Sequence, residues 1–458
     1  MKVTYAVFAA CLGVCTLTSA QWLETTIRVP QSPEALCWNR ANNRVYAAVG
    51  YPDAFGAVAV IDGAANQLLD SVMLRCQMPG GICLDPASNR IFCAGSSYYP
   101  LDESLVTVID GATNAKLAEV TVGGGPKAIC YNPAGNKIYC ASQLADRIYI
   151  IDGTDYTIRA TRSVPAWPID MLFAPEVNKV YCADQGSRMS PNFMVSVIDG
   201  TTDSILRTIF VGHYVQQVCY NPTSRKVYSA DYFDGTVTVI DADADTVLAR
   251  VNVGSMPYSL CWNPLTNRVY CTDGQNATLA VIDGVTNQQI STINLVGQAW
   301  AVLVDPAGAK VYCSNFLDGK VTVLNARDDQ FIKTIDVGQD PRAMCLNPVN
   351  GRVYVANRTD NTIAVIRDSA SAAVADLVVD PRIHHGAIDV WPSPSIGTLH
   401  VNFIYGPTPS EPMARLYDPQ GRAVAALHPG ANDISRLPAG TYFVRCAGID
   451  ATAKVTVR

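Results

Sequence analysis

Aromatic, amide and cationic residues occupy one repeated region of the chain and could together form a recognition surface. Large rings supply apolar contact area and polar tips supply hydrogen-bond donors, which is the chemistry of binding hot spots. Framework positions around these residues repeat along the chain, whereas these residues vary. The candidate ligand-binding residues are Lys127, Trp167, Tyr214, Gln216, Tyr258, Trp300 and Arg342, and Gln216 and the three that follow it are spaced 42 residues apart.

Recognisable catalytic motifs are absent from the sequence. It contains no Cys-x-x-Cys-His haem-attachment site, no His-Glu-x-x-His zinc motif, no P-loop and no nucleophile elbow. His213 is the only histidine of the repeats, whereas a histidine-ligated catalytic metal normally uses two or three. We therefore expect no catalytic residue, no metal site and no cofactor.

A regular series of aspartates could suggest an acidic ring, but its regularity indicates a structural turn. An Asp carboxylate at such a turn accepts hydrogen bonds from the backbone that follows it. Recurrence in repeat after repeat favours this role over catalysis. The series consists of Asp62, Asp110, Asp152, Asp199, Asp241 and Asp283.

The chain has 15 cysteines, 13 of them after residue 20. Many interchange with small or apolar residues at equivalent repeat positions, which favours packing as buried thiols. Disulfides across single hairpins are the alternative, because an exported chain crosses an oxidising compartment. Since 13 is odd, at least one thiol has no partner within the chain. The pairs spaced ten residues apart are Cys83/Cys93, Cys130/Cys140 and Cys261/Cys271.

These residues lie on an internal repeat that dominates the sequence. Phrases such as Val60-Ile61-Asp62-Gly63 recur at intervals of 42 to 48 residues, and an Asn-Pro or Asp-Pro pair keeps step with them. Each copy contains four short apolar or alternating segments separated by Pro, Gly and Asp-Gly turn signals. Four strands per roughly 42 residues is the period of a propeller blade, so the chain is predicted to be an all-β protein built around a β-propeller.

Eight copies between Thr25 and Arg367 favour eight blades, with seven blades and one detached copy as the alternative. The segment Thr25 to Val29 matches the outermost strand that the last copy lacks, so it can close the ring and hide two sheet edges. In a closed ring the candidate binding residues surround the mouth of the central channel. The alternative is ordinary loop variation, with aromatic rings that merely cover the channel.

The phrases Lys310-Val311-Tyr312 and Arg352-Val353-Tyr354-Val355-Ala356-Asn357, with the Val-Ile-Asp-Gly series, resemble the YVTN-type β-propeller family. The resemblance covers residues 25–367. It implies an exported or surface-layer propeller and leaves the ligand open. Many family members have seven blades, so the eight copies depart from that pattern.

The first 20 residues are predicted to be a secretory signal. Lys2 supplies a positive start, a mostly apolar run follows, and the small residues that end at Ala20 precede cleavage before Gln21. No later segment has eighteen uninterrupted apolar residues, so we expect no transmembrane segment in the mature chain. The predicted propeller spans residues 21–368, and residues 369–387 form a linker.

Residues 388–458 are predicted to form a small β-sandwich, because short alternating segments flank turn signals there. Tyr417-Asp418-Pro419-Gln420-Gly421-Arg422 and Leu437-Pro438-Ala439-Gly440-Thr441-Tyr442-Phe443 resemble the type A C-terminal sorting domain of the type IX (Por) secretion system. The resemblance implies that the type IX machinery is a partner and that the protein is secreted or attached to the outer cell surface. An ordinary accessory β-domain is the alternative.

The formal net charge of −6 argues against a nucleic-acid partner and against binding to anionic membranes. We predict an exported, non-enzymatic binding module whose surface ligand is a glycan or a protein. The alternative is a propeller enzyme of lactonase-like or quinoprotein-like type, because a propeller fold does not fix function.

Overall fold

The computed structural model describes residues 21–51, 54–97, 104–186 and 193–368, together with segments 388–393, 398–403, 414–417, 422–427, 430–433, 440–446 and 449–457. In the first group, 32 strands form eight antiparallel four-stranded sheets. The innermost strand of each sheet contacts the innermost strands of the sheets on both sides, and the last contacts the first. The predicted β-propeller with eight blades is therefore confirmed.

The strands are short, and each blade is a simple meander. From the innermost to the outermost strand, blade 1 comprises Pro33–Asn39, Arg44–Tyr51, Ala54–Asp62 and Gln67–Met73, and blade 2 comprises Met78–Asp85, Arg90–Ser96, Ser104–Asp110 and Lys116–Thr121. Blade 3 comprises Pro126–Asn132, Lys137–Ser142, Arg147–Asp152 and Ile158–Ser163, and blade 4 comprises Pro168–Ala174, Lys179–Asp184, Met194–Asp199 and Ile205–Phe210. Single-turn 3-10 helices lie at Gln143–Ala145 and Pro175–Val177.

The same order holds in the second half of the ring, except that the last blade takes its outermost strand from the other end of the chain. Blade 5 comprises Val215–Asn221, Lys226–Asp231, Thr236–Asp241 and Thr246–Asn252, and blade 6 comprises Pro257–Asn263, Arg268–Asp273, Thr278–Asp283 and Gln289–Asn294. Blade 7 comprises Ala299–Asp305, Lys310–Asn315, Lys320–Asn325 and Phe331–Asp336, and blade 8 comprises Pro341–Asn347, Arg352–Asn357, Thr362–Asp368 and Gln21–Arg28.

The core consists of apolar clusters between neighbouring blades. Between blades 1 and 2, for example, Tyr46 and Val58 pack against Ile91 and Cys93. Second and third strands are covered on both faces, so they are apolar almost without interruption, whereas outermost strands such as Gln289–Asn294 are largely exposed.

A tyrosine on the second strand joins each of several blades to the next. The Tyr46 hydroxyl donates to the carbonyl oxygen of Gly111 at 3.0 Å, and the Tyr139 hydroxyl donates to Asp203 Oδ1 at 2.6 Å. The basic residue two positions earlier reinforces this link, because Lys137 Nζ lies 2.8 Å from the same Asp203 oxygen. The Lys/Arg-x-Tyr phrase of the repeat thus holds blades together through buried polar contacts.

The regular aspartates have the structural role that the sequence predicts. Asp62 Oδ1 accepts the backbone N–H groups of Ala64 at 2.7 Å and Ala65 at 2.9 Å. Asp110 and Asp283 repeat this geometry with the backbone N–H groups of the second and third residues after each of them. These carboxylates therefore cap turns between the third and fourth strands.

The N-terminal strand closes the ring, as predicted, but it is longer than the predicted Thr25 to Val29. Strand Gln21–Arg28 pairs with Thr362–Asp368, from Gln21 opposite Asp368 to Arg28 opposite Thr362. Gln21 is buried and its side-chain amide donates to Asp368 Oδ1 at 3.0 Å, which explains the earlier start. Glu24 accepts two hydrogen bonds from Arg352, at 2.6 and 2.7 Å. This closure pairs the strand Thr362–Asp368 on both sides and gives the last blade the same four strands as the others.

The hairpin cysteine pairs do not face each other. Cys83 lies opposite Phe92 and Cys93 opposite Ile82, so the two sulfur atoms leave the sheet on opposite faces. Accordingly, Cys83 packs between blades 2 and 3, and Cys93 packs between blades 1 and 2. The registers of Cys130/Cys140 and Cys261/Cys271 are the same. Free thiols are therefore confirmed for these pairs, with one cysteine of each pair buried and the other half-buried, and the hairpin disulfide alternative is wrong for them.

The C-terminal segment contains two antiparallel sheets. Their strands are Ile388–Ser393, Thr398–Phe403 and Gly430–Asp433 in one sheet, and Ala423–Leu427, Ala414–Tyr417, Gly440–Cys446 and Ile449–Val457 in the other. The predicted leader, with Ala20, and linker 369–387 lie outside the described residues. In the part of the chain that the structure describes, no helix is long and apolar enough to cross a membrane.

Candidate functional site

The repeat position that carries five of the seven candidate residues is a β-bulge at the start of each innermost strand. In blade 6, Pro257 pairs with Asp273 but the next paired residue is Leu260, so Tyr258 lies outside the ladder. The same irregularity recurs in all eight blades. A bulge turns its side chain away from the regular face of the strand. The residues placed this way are Glu34, Gly80, Lys127, Ile169, Gln216, Tyr258, Trp300 and Arg342.

In blades 6 to 8 three of these residues form one stack. The ring centroids of Tyr258 and Trp300 are 4.0 Å apart, and the Arg342 guanidinium carbon lies 3.9 Å from the Trp300 ring centroid. Phe316 meets the indole edge-on at 5.4 Å. Asp340 accepts the Nε–H of Arg342 at 2.8 Å. Ring stacking and this ion pair fix the guanidinium plane before any ligand arrives.

Aromatic contacts continue from this stack into blade 5. The ring centroids of Tyr232 and Tyr258 are 6.4 Å apart, and Tyr214, Tyr232 and Phe233 lie within 5.9 Å of one another. We call the connected set the aromatic arc; it comprises Tyr214, Tyr232, Phe233, Tyr258, Trp300 and Phe316. Burial raises the pKa of the Tyr258 hydroxyl well above its usual range, so this hydroxyl remains protonated.

Two buried hydroxyl groups hold the backbone of the stack. Thr272 Oγ1 accepts the N–H of the residue after Tyr258 at 3.0 Å and lies 3.4 Å from the Trp300 carbonyl oxygen, to which it donates. Ser314 Oγ accepts the N–H of the residue after Trp300 at 3.0 Å and donates to the Arg342 carbonyl oxygen at 3.3 Å. The other six blades have Ala at this position. The hydroxyl groups therefore occur only where they link Tyr258, Trp300 and Arg342.

Two bulky residues before the innermost strands adopt left-handed backbone conformations. Trp167 has φ 50° and Tyr214 has φ 65°, whereas Gly125 takes the equivalent place in blade 3. A large L-residue adopts this conformation at a cost of roughly 1–2 kcal/mol. Both carbonyl groups accept backbone N–H groups from the loop after the second strand, at 3.0 Å for Trp167 and 3.2 Å for Tyr214. The aromatic side chains are thus held in place by strained, hydrogen-bonded loops.

His213 and Asp234 form a hydrogen-bonded pair beside the arc. His213 Nδ1 lies 2.6 Å from Asp234 Oδ1, and the His213 backbone N–H donates to the other oxygen of this carboxylate at 2.9 Å. Phe193 meets the imidazole ring edge-on, with centroids 4.6 Å apart. Both side chains are solvent-accessible. The pair therefore fixes the loop that carries Tyr214.

Polar side chains on successive innermost strands bind the neighbouring blade below the bulges. Asp170 Oδ2 accepts the N–H of Val218 at 2.9 Å, and Gln217 Oε1 accepts the N–H of Leu260 at 2.6 Å. Burial raises the pKa of Asp170 to about 6. These contacts join blades 4, 5 and 6 close to the aromatic arc.

Three of the predicted residues do not join the arc. Lys127 is exposed in blade 3, where its stem lies against Gly80 of the preceding blade. Trp167 and Gln216 are half-buried at their predicted positions, but no ring contact connects either to the arc among the described residues. Of the seven candidates, Tyr214, Tyr258, Trp300 and Arg342 are brought together.

Sequence reasoning did not select Asp340, Thr272 or Ser314, which position the stack. Thr272 and Ser314 break a run of Ala at one repeat position, and that departure was the signal available in the sequence. Among the described residues, no group of three or more His, Cys, Asp or Glu side chains could hold a metal ion. The arrangement offers aromatic faces and one fixed guanidinium.

The fold and this site define an eight-bladed β-propeller with an aromatic cluster at the starts of its innermost strands. A family model described as "Lactonase, 7-bladed beta-propeller" matches residues 258–388, which is a minority of the chain. No curated protein matches the chain.

Solved structures of other proteins are similar to this chain. Hydrazine synthase of Kuenenia stuttgartiensis is 20% identical with a TM-score of 0.50, and the match covers 65% of this chain and 97% of that one. BamB from Moraxella catarrhalis is 12% identical with a TM-score of 0.59, and the match covers 76% and 100%. At these identities the similarity concerns the fold.

Proposed function

We propose that this protein is an exported, non-enzymatic binding propeller that recognises its ligand at the channel mouth. The observation that carries the proposal is the stack of Tyr258, Trp300 and Arg342, which are 42 residues apart in sequence and meet at 3.9–4.0 Å. Aromatic and Arg side chains in a prefixed arrangement are the groups that dominate recognition. Thr272 and Ser314 supply buried support that a mere covering of the channel would not need.

The test replaces Trp300 by Ala in the full-length protein and screens both proteins on glycan and peptide arrays. Trp300→Ala should cost roughly 2 kcal/mol or more of binding free energy for whatever the unmodified protein binds. Its melting temperature should change little, because the ring is only half-buried. Trp22→Ala is the matched control, since Trp22 is 40% exposed on the outermost strand of blade 8. A drop in melting temperature without a loss of binding would identify Trp300 as a structural plug.

Export forms the second part of the proposal and rests on the sequence. We propose that residues 1–20 are cleaved before Gln21 and that residues 388–458 act as a type A sorting domain for the type IX machinery. The YVTN-type resemblance of the repeats supports the same surface location. Truncation after Asp368 should leave the propeller in the periplasm of a host with this machinery. Normal surface appearance of the truncated protein would overturn the sorting assignment.

A lactonase-like enzyme is the second candidate, and the family match over residues 258–388 favours it. That segment contains the Tyr258–Trp300–Arg342 stack, so the same surface would have to bind the lactone. Purified protein should not hydrolyse a panel of aliphatic and aromatic lactones if the channel mouth is a binding site only. Turnover that disappears in Arg342→Gln would replace the binding proposal with an enzymatic one.

A further inference from the structure

We propose that the ligand is an acidic glycan and that Arg342 binds its carboxylate while Trp300 and Tyr258 contact the sugar rings. This inference rests on the proposed function, because it assigns a ligand class to the same site. It is carried by the juxtaposition of a fixed guanidinium fork with a continuous aromatic surface at the channel mouth.

The guanidinium of Arg342 is oriented but not saturated. Its Nε–H donates to Asp340 Oδ1 at 2.8 Å, and its plane lies over Trp300 at 3.9 Å. Within the described part of the chain, no hydrogen bond to the two terminal nitrogens of Arg342 is found. A carboxylate matches the two parallel N–H groups of such a fork, and little ordering entropy is lost when the fork is already fixed.

The surface next to the fork suits a sugar. Tyr258 and Trp300 present tilted rings, and Tyr232 extends the apolar surface into blade 5. A pyranose combines apolar C–H faces with a rim of hydroxyl groups. The parts of these half-buried rings that the stack leaves exposed can contact those faces. The protonated Tyr258 hydroxyl and the half-buried Gln216 amide offer hydrogen-bond partners for the rim.

The charges around Arg342 favour a ligand that places a single carboxylate there over a densely charged polyanion. Asp340 accompanies Arg342, and in the same region Glu34 Oε1 accepts the Nε–H of Arg358 at 2.7 Å. Acids and cations at this end of the arc therefore balance approximately. The protein's net charge of −6 further disfavours nucleic acid, whose binding depends on neutralising many phosphates.

The experiment measures binding of the full-length protein to uronic-acid oligosaccharides by calorimetry. The panel contains galacturonate, glucuronate, mannuronate and guluronate oligomers, and each is paired with its methyl ester, which keeps the sugar and removes the charge. An acidic peptide and a single-stranded oligonucleotide are included as competing classes. The variants are Arg342→Gln, Trp300→Ala and, as matched control, Arg250→Gln. Arg250 is on the outermost strand of blade 5, and its guanidinium carbon lies 5.3 Å from the ring centroid of Phe210 in blade 4.

We expect at least one uronate oligomer to bind at least tenfold more tightly than its methyl ester. Arg342→Gln should weaken binding of the acid roughly ten- to hundredfold and abolish the difference between acid and ester. Arg250→Gln should bind as the unmodified protein does. The melting temperature of every variant is measured, so a folding defect is recognised separately.

Other outcomes overturn the inference in distinguishable ways. Equal binding of acid and ester, with loss in Trp300→Ala, would remove the carboxylate assignment and keep the channel mouth as a binding site. Preference for the acidic peptide or the oligonucleotide would replace the ligand class. If no uronate binds and no array probe depends on Trp300, both the ligand class and the proposed function are wrong.

Discussion

Two aspartates at one repeat position, the end of the second strand, should respond to pH in opposite directions. Burial raises the pKa of Asp184 to about 8; Ser196 Oγ donates to its Oδ2 at 2.6 Å, and no partner for its Oδ1 is present among the described residues. Burial also disfavours the charge of Asp273, but its hydrogen bonds together outweigh burial and lower its pKa. They come from the backbone N–H groups of Ser255 and Gln275, both at 2.8 Å, and from the backbone and side chain of Asn276.

The signs follow from proton linkage. The native state keeps a proton on Asp184 that the unfolded chain releases near pH ~4, so this contribution to stability is full below that pH and is lost as the pH rises through about 8. The slope is about 1.4 kcal/mol per pH unit, which amounts to about 2.7 kcal/mol between pH 5 and pH 7. Asp273 contributes stability above pH ~4 that is lost as the pH falls.

The test replaces each aspartate by Asn, which the fold already accepts at this position as Asn315 and Asn357. Guanidinium titrations of the full-length protein at pH 5, 6 and 7 give the free energy of unfolding, with fluorescence and circular dichroism compared for coincidence. Asp184→Asn should lose less stability than the unmodified protein as the pH rises. Asp273→Asn should be destabilised equally at all three values. If Asp184→Asn keeps the parental pH slope, water reaches Asp184 and the burial argument fails.

Three further predictions concern closure, support and the thiols. Ile27→Ala removes three buried carbons from the closing strand and should lower the free energy of unfolding by about 2–4 kcal/mol. The exposed Thr26→Ala should lie within about 0.5 kcal/mol of the parent in the same titration. Equal stabilities of the two variants would show that the strand does not close the ring. Thr272→Ala should weaken any ligand bound through Trp300 with little change in melting temperature, and unchanged affinity would remove its positioning role. Burial raises the pKa of Cys37 to about 12, so native protein should react with Ellman's reagent at pH 8 only slowly until denatured, and rapid labelling of Cys37 would contradict its burial.

The fold was predictable because the same strand and turn patterns recur in each copy of the repeat. Asp-Gly turns, the Asn-Pro pairs and the missing last strand each constrain the same ring, and the errors are confined to boundaries such as the start of the closing strand at Gln21. Strand alternation also determines that Cys83 and Cys93 face opposite ways, yet spacing alone left a disulfide open because the hairpin register was unknown.

The sequence predicted the position of the site better than it predicted which residues belong to the site. Repeat spacing placed Tyr258, Trp300 and Arg342 at one bulge, and the structure shows them stacked. Spacing could not separate these residues from Lys127, because side-chain contacts depend on which neighbouring blades carry large rings. Thr272 departs visibly from the Ala of other blades, but the hydrogen bonds between blades that give it a role cannot be read from the sequence.

The claim that the channel mouth recognises a ligand is tested most directly by hydrogen–deuterium exchange of the full-length protein, with and without a saturating array ligand. The account predicts that protection is confined to the starts of the innermost strands in blades 5 to 8, around Gln216, Tyr258, Trp300 and Arg342, and to the adjoining loops with Tyr232 and Phe316. Protection confined to the outermost strands, or to the opposite turns that the regular aspartates cap, would contradict it.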